Sequence, residues 1–176
     1  MKDKPARAIL IQLLAFPVFL LLGLAFSFLA VHFGKLPYTH RFGLTEIGIC
    51  PVGIVATIVL HELAHGLAMR CSGARPQYGF LWKQLLFYAS SPGYGFRRNS
   101  YLLVALSPLV GISCLVVLGM FLLQETNWVA LLALCATING SGAFGDVWLA
   151  LLVLRYPKSA YVVDERYGVW VLMRKT

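Results

Sequence analysis

Charge is what this sequence is shortest of. Asp, Glu, Lys and Arg make up 12% of its residues, against roughly 25% in ordinary soluble domains, which argues that lipid rather than water is its solvent. No Ser-, Gly- or Pro-rich linker and no internal repeat interrupts the 176 residues, so a repeat array is excluded and 1–176 reads as one domain. Cysteine is sparse and scattered. Cys50, Cys71, Cys114 and Cys135 form no close pair, which excludes a disulfide framework and a cysteine metal site and leaves buried free thiols.

What the chain has instead is long apolar runs. Hydrophobic residues reach 59% and the mean hydropathy is +0.76. Four runs, 9–31, 47–69, 101–123 and 128–154, each exceed the ~20 residues that a helix needs to cross the hydrocarbon. The first and third hold no charged residue, and Pro17 and Pro108 within them are tolerable kinks. The first run is longer than the h-region of a secretory signal and lacks an A-x-A cleavage pattern, so it is expected to stay as an anchor. The expected fold class is an all-α membrane protein: four transmembrane helices, an interfacial loop and a short cytoplasmic β-hairpin.

Orientation follows from Lys and Arg, which cytoplasmic flanks retain. Lys2, Lys4 and Arg7 precede the first run; Arg70, Arg75, Lys83, Arg97 and Arg98 lie between the second and third; Arg155, Lys158, Arg166, Arg174 and Lys175 fill the tail 155–176. The opposite side has only Lys35 and Arg41. Both termini are therefore expected in the cytoplasm of a multi-pass cell-membrane protein. The net charge of +8 belongs to this asymmetry and to anionic lipid, and no nucleic acid partner is needed to explain it.

The second run contains His61-Glu62-Leu63-Ala64-His65. Histidines four apart share one face of a helix and can hold a single metal ion, with the glutamate beside it as general base. A carboxylate near the middle of a span costs about 2.5 to 3.5 kcal/mol on insertion scales, so Glu62 is functional by default. Two imidazoles on one helix face cannot clasp a haem from opposite sides, and no histidine occurs in another run. His32 and His40, in the first loop, carry no assigned role.

Zinc held by two histidines needs a third protein ligand. Asp146 is the one charged residue of the fourth run. Counted from Arg70 and Arg155, His61, His65 and Asp146 lie at roughly 13, 8 and 13 Å depth at 1.5 Å per residue. The glycines Gly140, Gly142 and Gly145 around it permit close helix approach or local opening. Asn139, seven residues earlier, is a weaker candidate whose amide could bond a substrate carbonyl.

The pentad His61–His65, its continuation Gly66-Leu67-Ala68-Met69-Arg70, and Asn139 followed by Asp146 in the last run resemble the site-2 protease superfamily of intramembrane zinc metalloproteases. The short length and the segment Asn139-Gly140-Ser141-Gly142-Ala143-Phe144-Gly145-Asp146 resemble, more narrowly, the small bacterial putative zincin peptidase family. The resemblance covers about residues 47–154. The site-2 pattern has an asparagine-proline pair and an aspartate-glycine pair, whereas here Val147 follows Asp146 and the last run has no proline. The resemblance implies cleavage of transmembrane substrates near the cytosolic leaflet.

The stretch 70–100, rich in Tyr, Phe and Trp, is expected at the membrane interface, as an aromatic belt or as a hairpin whose edge pairs with an unwound substrate. The tail reads as two short strands around a turn at Asp164 to Gly168. The leading reading is thus a zinc-dependent endopeptidase with Glu62 as base, Zn2+ held by His61, His65 and Asp146, and membrane-embedded or membrane-adjacent protein as substrate. A non-catalytic metal-binding membrane protein with a structural or regulatory role stands as the alternative. A small transporter is disfavoured by the lack of repeats. Substrate identity and oligomeric state, a homo-oligomer included, are left open.

Overall fold

The structure, a computed structural model, describes residues 4–35, 37, 43–82, 86–165 and 168–173. His40 and residues 166 and 167 of the expected tail turn lie outside them. The helices are α1 (Lys4–His32), α2 (Leu44–Cys71), α3 (Arg98–Leu122), α4 (Trp128–Gly142) and α5 (Phe144–Leu154). The strands are β1 (Gln77–Leu81), β2 (Leu86–Ser90), β3 (Gly95–Arg97), β4 (Tyr161–Glu165) and β5 (Gly168–Leu172).

Among the described residues, three stretches are long and apolar enough to cross a membrane: Ile47–Cys71, Arg98–Leu122 and Trp128–Leu154. In α1 the described apolar stretch is the shorter Phe16–His32. Only 6% of the most apolar window of α2 is buried within protein, an apolar exposure that water penalises and lipid does not. The third stretch breaks at Ala143, between α4 and α5, where the Ala143 N–H donates to the Asn139 carbonyl at 2.9 Å. Glycine is a poor helix former, and Gly140, Gly142 and Gly145 flank this break.

The described chain falls into two compact units. The first comprises 1–57 and 112–145. Its core is Phe26, Ala30, Val116, Met120, Val129, Ala133 and Ala136. Small residues bring its helices close: a Cβ on Gly140 would lie 2.7 Å from Leu22 Cδ1, so a larger residue there would push that leucine end aside. Its buried threonines bond their own helices, Thr57 Oγ1 to Gly53 O and Thr137 Oγ1 to Ala133 O, each at 2.8 Å.

The second unit comprises 58–111 and 146–176. Met69, Ala74, Phe96, Tyr101, Val104, Ala105, Ala150, Val153 and Val162 form its core. Helix α2 ends in a Schellman cap: Gly73 takes φ +86°, Ala74 N–H donates to Met69 O at 3.0 Å, and Gly73 N–H to Arg70 O at 2.9 Å. The stretch expected as an interfacial loop holds three strands. β1 and β2 pair antiparallel from Gln77↔Ser90 to Leu81↔Leu86. β3 joins the tail hairpin in a sheet of order β3-β4-β5. The fold is therefore mostly helical with two small sheets, not all-α with one hairpin.

The tail hairpin forms as expected, but its strands run further. Asp164 and Glu165, read from sequence as turn residues, lie within β4, with Asp164 opposite Val169 and Glu165 opposite Gly168. Strand side chains alternate, so Asp164 shares the face of fully buried Val162. All four cysteines are free, as expected, but none is buried; Cys71 and Cys114 are exposed.

Candidate metal centre

The second unit supplies every element of the site. Helical spacing turns His61 and His65 to one face of α2, their rings edge-to-face with centroids 5.0 Å apart. Asp146 sits in the first turn of α5 because the helix restarts at Phe144. A helix N-terminus favours a carboxylate there. Both imidazole Nε2 atoms face one carboxylate oxygen, Asp146 Oδ2, at 3.1 Å from His61 and 3.4 Å from His65.

The other ring nitrogen of His65 has a job of its own. Its Nδ1–H donates to the Val104 carbonyl of α3 at 2.9 Å, which leaves the Nε2 lone pair for the cluster. That carbonyl also accepts the Ser107 hydroxyl at 2.8 Å, and the same hydroxyl reaches Ala64 O at 3.3 Å. The bonds tie α3 to α2 at the level of the histidines.

Glu62, the residue after His61, also borders a groove. It lines this space of about 340 Å³ with Val59 and Leu63 of α2 and Tyr78, Gly79, Phe80, Phe87 and Tyr88 of the hairpin. Its carboxylate accepts the backbone N–H of Ala89 on β2. The hairpin can come this close because Gly66, just after the pentad, has no side chain; a Cβ there would collide with the Tyr78 ring and hydroxyl. Gly79 is likewise covered by the Tyr88 ring, its cross-strand partner.

The donor atoms of His61, His65 and Asp146 lie within 4.8 Å of one another, close enough for one ion. Two imidazole nitrogens and one carboxylate oxygen also match the donor chemistry of zinc. The chemistry of the donors and their convergence therefore fit the metal. The profile of the putative zincin peptidase family matches residues 54–161. The chain belongs to that family. Family membership points to a metallopeptidase that uses zinc, and the matched stretch contains His61, Glu62, His65 and Asp146. Neither a curated protein nor a solved structure matches the chain.

Asn139 is buried in α4. His32 stacks on Phe28 and meets Phe33 edge-on at the end of α1.

The residues missed from sequence are Val104, Ala89 and Asp164. A backbone carbonyl or amide leaves no mark on residue type, so the first two were invisible. Asp164 was hidden by a turn pattern. On the inward face of β4 it is largely buried, and burial lifts its carboxyl to about 7 from an ordinary 3.8. His65 opposes that rise, while Asp146, Glu165 and Glu62 add to it. Its sequence signal was the two-residue spacing from Val162.

Proposed function

We infer that this chain is a zinc-dependent endopeptidase that hydrolyses peptide bonds of membrane-embedded or membrane-adjacent substrates near the cytosolic side. The observation that carries the reading is the convergence of His61 Nε2, His65 Nε2 and Asp146 Oδ2, with Glu62 one residue from a ligand and open to a groove. Zinc held there would act as a Lewis acid and make water a nucleophile near neutral pH.

The protein's own groups supply the rest. Glu62 takes the proton from the attacking water and passes it to the leaving amine. The Val104 carbonyl holds the His65 ring in its tautomer and orientation. A helix hides its peptide groups, so the substrate must be extended, and β1 and β2 form a two-stranded sheet beside Glu62 with strand edges able to pair with it. Asn139 enters as a donor to the substrate carbonyl on sequence grounds alone. With α1 taken as a fourth span, the Lys and Arg asymmetry of the sequence supports a cytoplasmic position for the stretch 70–100 and the tail.

The bond from Ala89 N–H to Glu62 favours a second reading, in which Glu62 only anchors the hairpin and the metal is structural or regulatory. Glu62→Gln separates the two. In purified protein the variant should keep its zinc and lose cleavage; processing at the unaltered rate sinks the protease reading. No zinc in the unaltered protein sinks both.

A further inference from the structure

The groove beside Glu62 is walled almost wholly by carbon. Val59 and Leu63 form one side and Phe80, Phe87 and Tyr88 the other, with Glu62 as the acidic group at its edge. Its shape is held from outside. Tyr78 seats on Gly66 and so packs the hairpin against α2, while Tyr88 covers Gly79 across the two strands. A volume of about 340 Å³ is ample for one large side chain and at the small end for a whole ligand.

We propose that this groove is the specificity subsite of the enzyme and takes a large uncharged apolar side chain, aliphatic or aromatic, of the substrate residue flanking the scissile bond. The inference rests on the endopeptidase reading and names what that site selects. The occupant follows from continuity with Glu62. A peptide placed for Glu62 to act on the attacking water must lay a neighbouring side chain along the walls next to that carboxylate. Charge decides the rest. An acidic side chain would be desolvated against apolar walls and repelled by Glu62. A basic one would pair with Glu62 and occupy the oxygens needed to accept a proton. Small side chains would leave the walls unfilled and give up their contact energy.

The test uses peptides that differ only at that flanking residue, Leu, Phe, Ala, Asp or Lys, with protein in detergent. Binding is read by fluorescence anisotropy on metal-stripped protein, and cleavage on the zinc-loaded form. Leu and Phe should exceed Ala by about tenfold or more in kcat/KM, with binding in the same order and Asp and Lys weakest. Val59→Phe, which fills the groove, should bring the Leu-to-Ala ratio toward one with zinc content unchanged. Phe87→Ala, which widens it, should shift preference to larger aromatics.

Binding that ignores the flanking residue overturns the inference, as does a Leu-to-Ala ratio that both variants leave alone. Displacement of every peptide alike by long-chain phospholipid assigns the groove to lipid and also overturns it. Ordered binding without any cleavage removes the endopeptidase reading and leaves the groove's selectivity standing, so the two failures are distinguishable.

Discussion

The two units differ in where their best-buried polar side chains find partners. In the first, Thr57 and Thr137 bond carbonyls four residues back in their own helices. In the second, polar groups reach across elements: His61 to Asp146, His65 to Val104, Ser107 to Ala64, and the Tyr94 hydroxyl to Ser72 O at 2.6 Å. A bond closed within one helix survives any change in how helices pack. A bond between elements exists only if the packing is right, so it fixes geometry. That contrast marks the first unit's threonines as scaffold and the second unit's network as the site.

The largest expected effect is on chemistry. Glu62→Gln should lower cleavage by about 10²- to 10⁴-fold with zinc content, measured by elemental analysis, unchanged. Next comes metal. His61→Ala and Asp146→Ala each remove a converging donor and should release zinc on dialysis, whereas Thr137→Val in the first unit should keep it. Loss of zinc from Thr137→Val would break the proposed division of labour.

Packing follows. Gly66→Val drives a side chain into Tyr78 and should cost about 1 to 3 kcal/mol, read as a lower melting temperature in detergent. The matching change in the first unit, Gly48→Ala, meets nothing within 4 Å and should leave the melting temperature in place or raise it. The smallest effect concerns pH. Asp164 keeps its proton in the folded protein up to about 7 but loses it near 3.8 when unfolded. The folded state thus binds more protons between these values, and metal-free stability should fall as pH rises from about 4 through 7. Asp164→Asn should flatten that slope. A slope identical in the variant would show that the β4 carboxyl is not the group responsible. Zinc at the site, a cation near this carboxyl, should also shrink the slope by favouring its ionised form.

The pentad was legible from the sequence because histidines four apart on a helix need no tertiary information to share a face. Asp146 was legible by elimination, being the one charge in its run. The apolar runs were legible by length, and three of them meet the span criterion as described helices. Aromatic strands in 70–100 were less so. Their seat on α2 involves Gly66 receiving the Tyr78 ring, a contact between a helix and a strand that no local pattern shows. The same holds for β3, whose three residues pair with a strand more than sixty positions later.

Sequence alone therefore determined the long apolar runs, the candidate metal-ligand types and the helix that carries two of them, because apolarity and a period of 3.6 are local properties. Tertiary structure decided where the helix of Asp146 restarts, which carbonyl orients His65, that a β-hairpin and not a bare loop faces Glu62, and that Asp164 turns inward. Those facts rest on backbone amides, missing side chains and long-range pairing, and none of them is written in the type of a single residue.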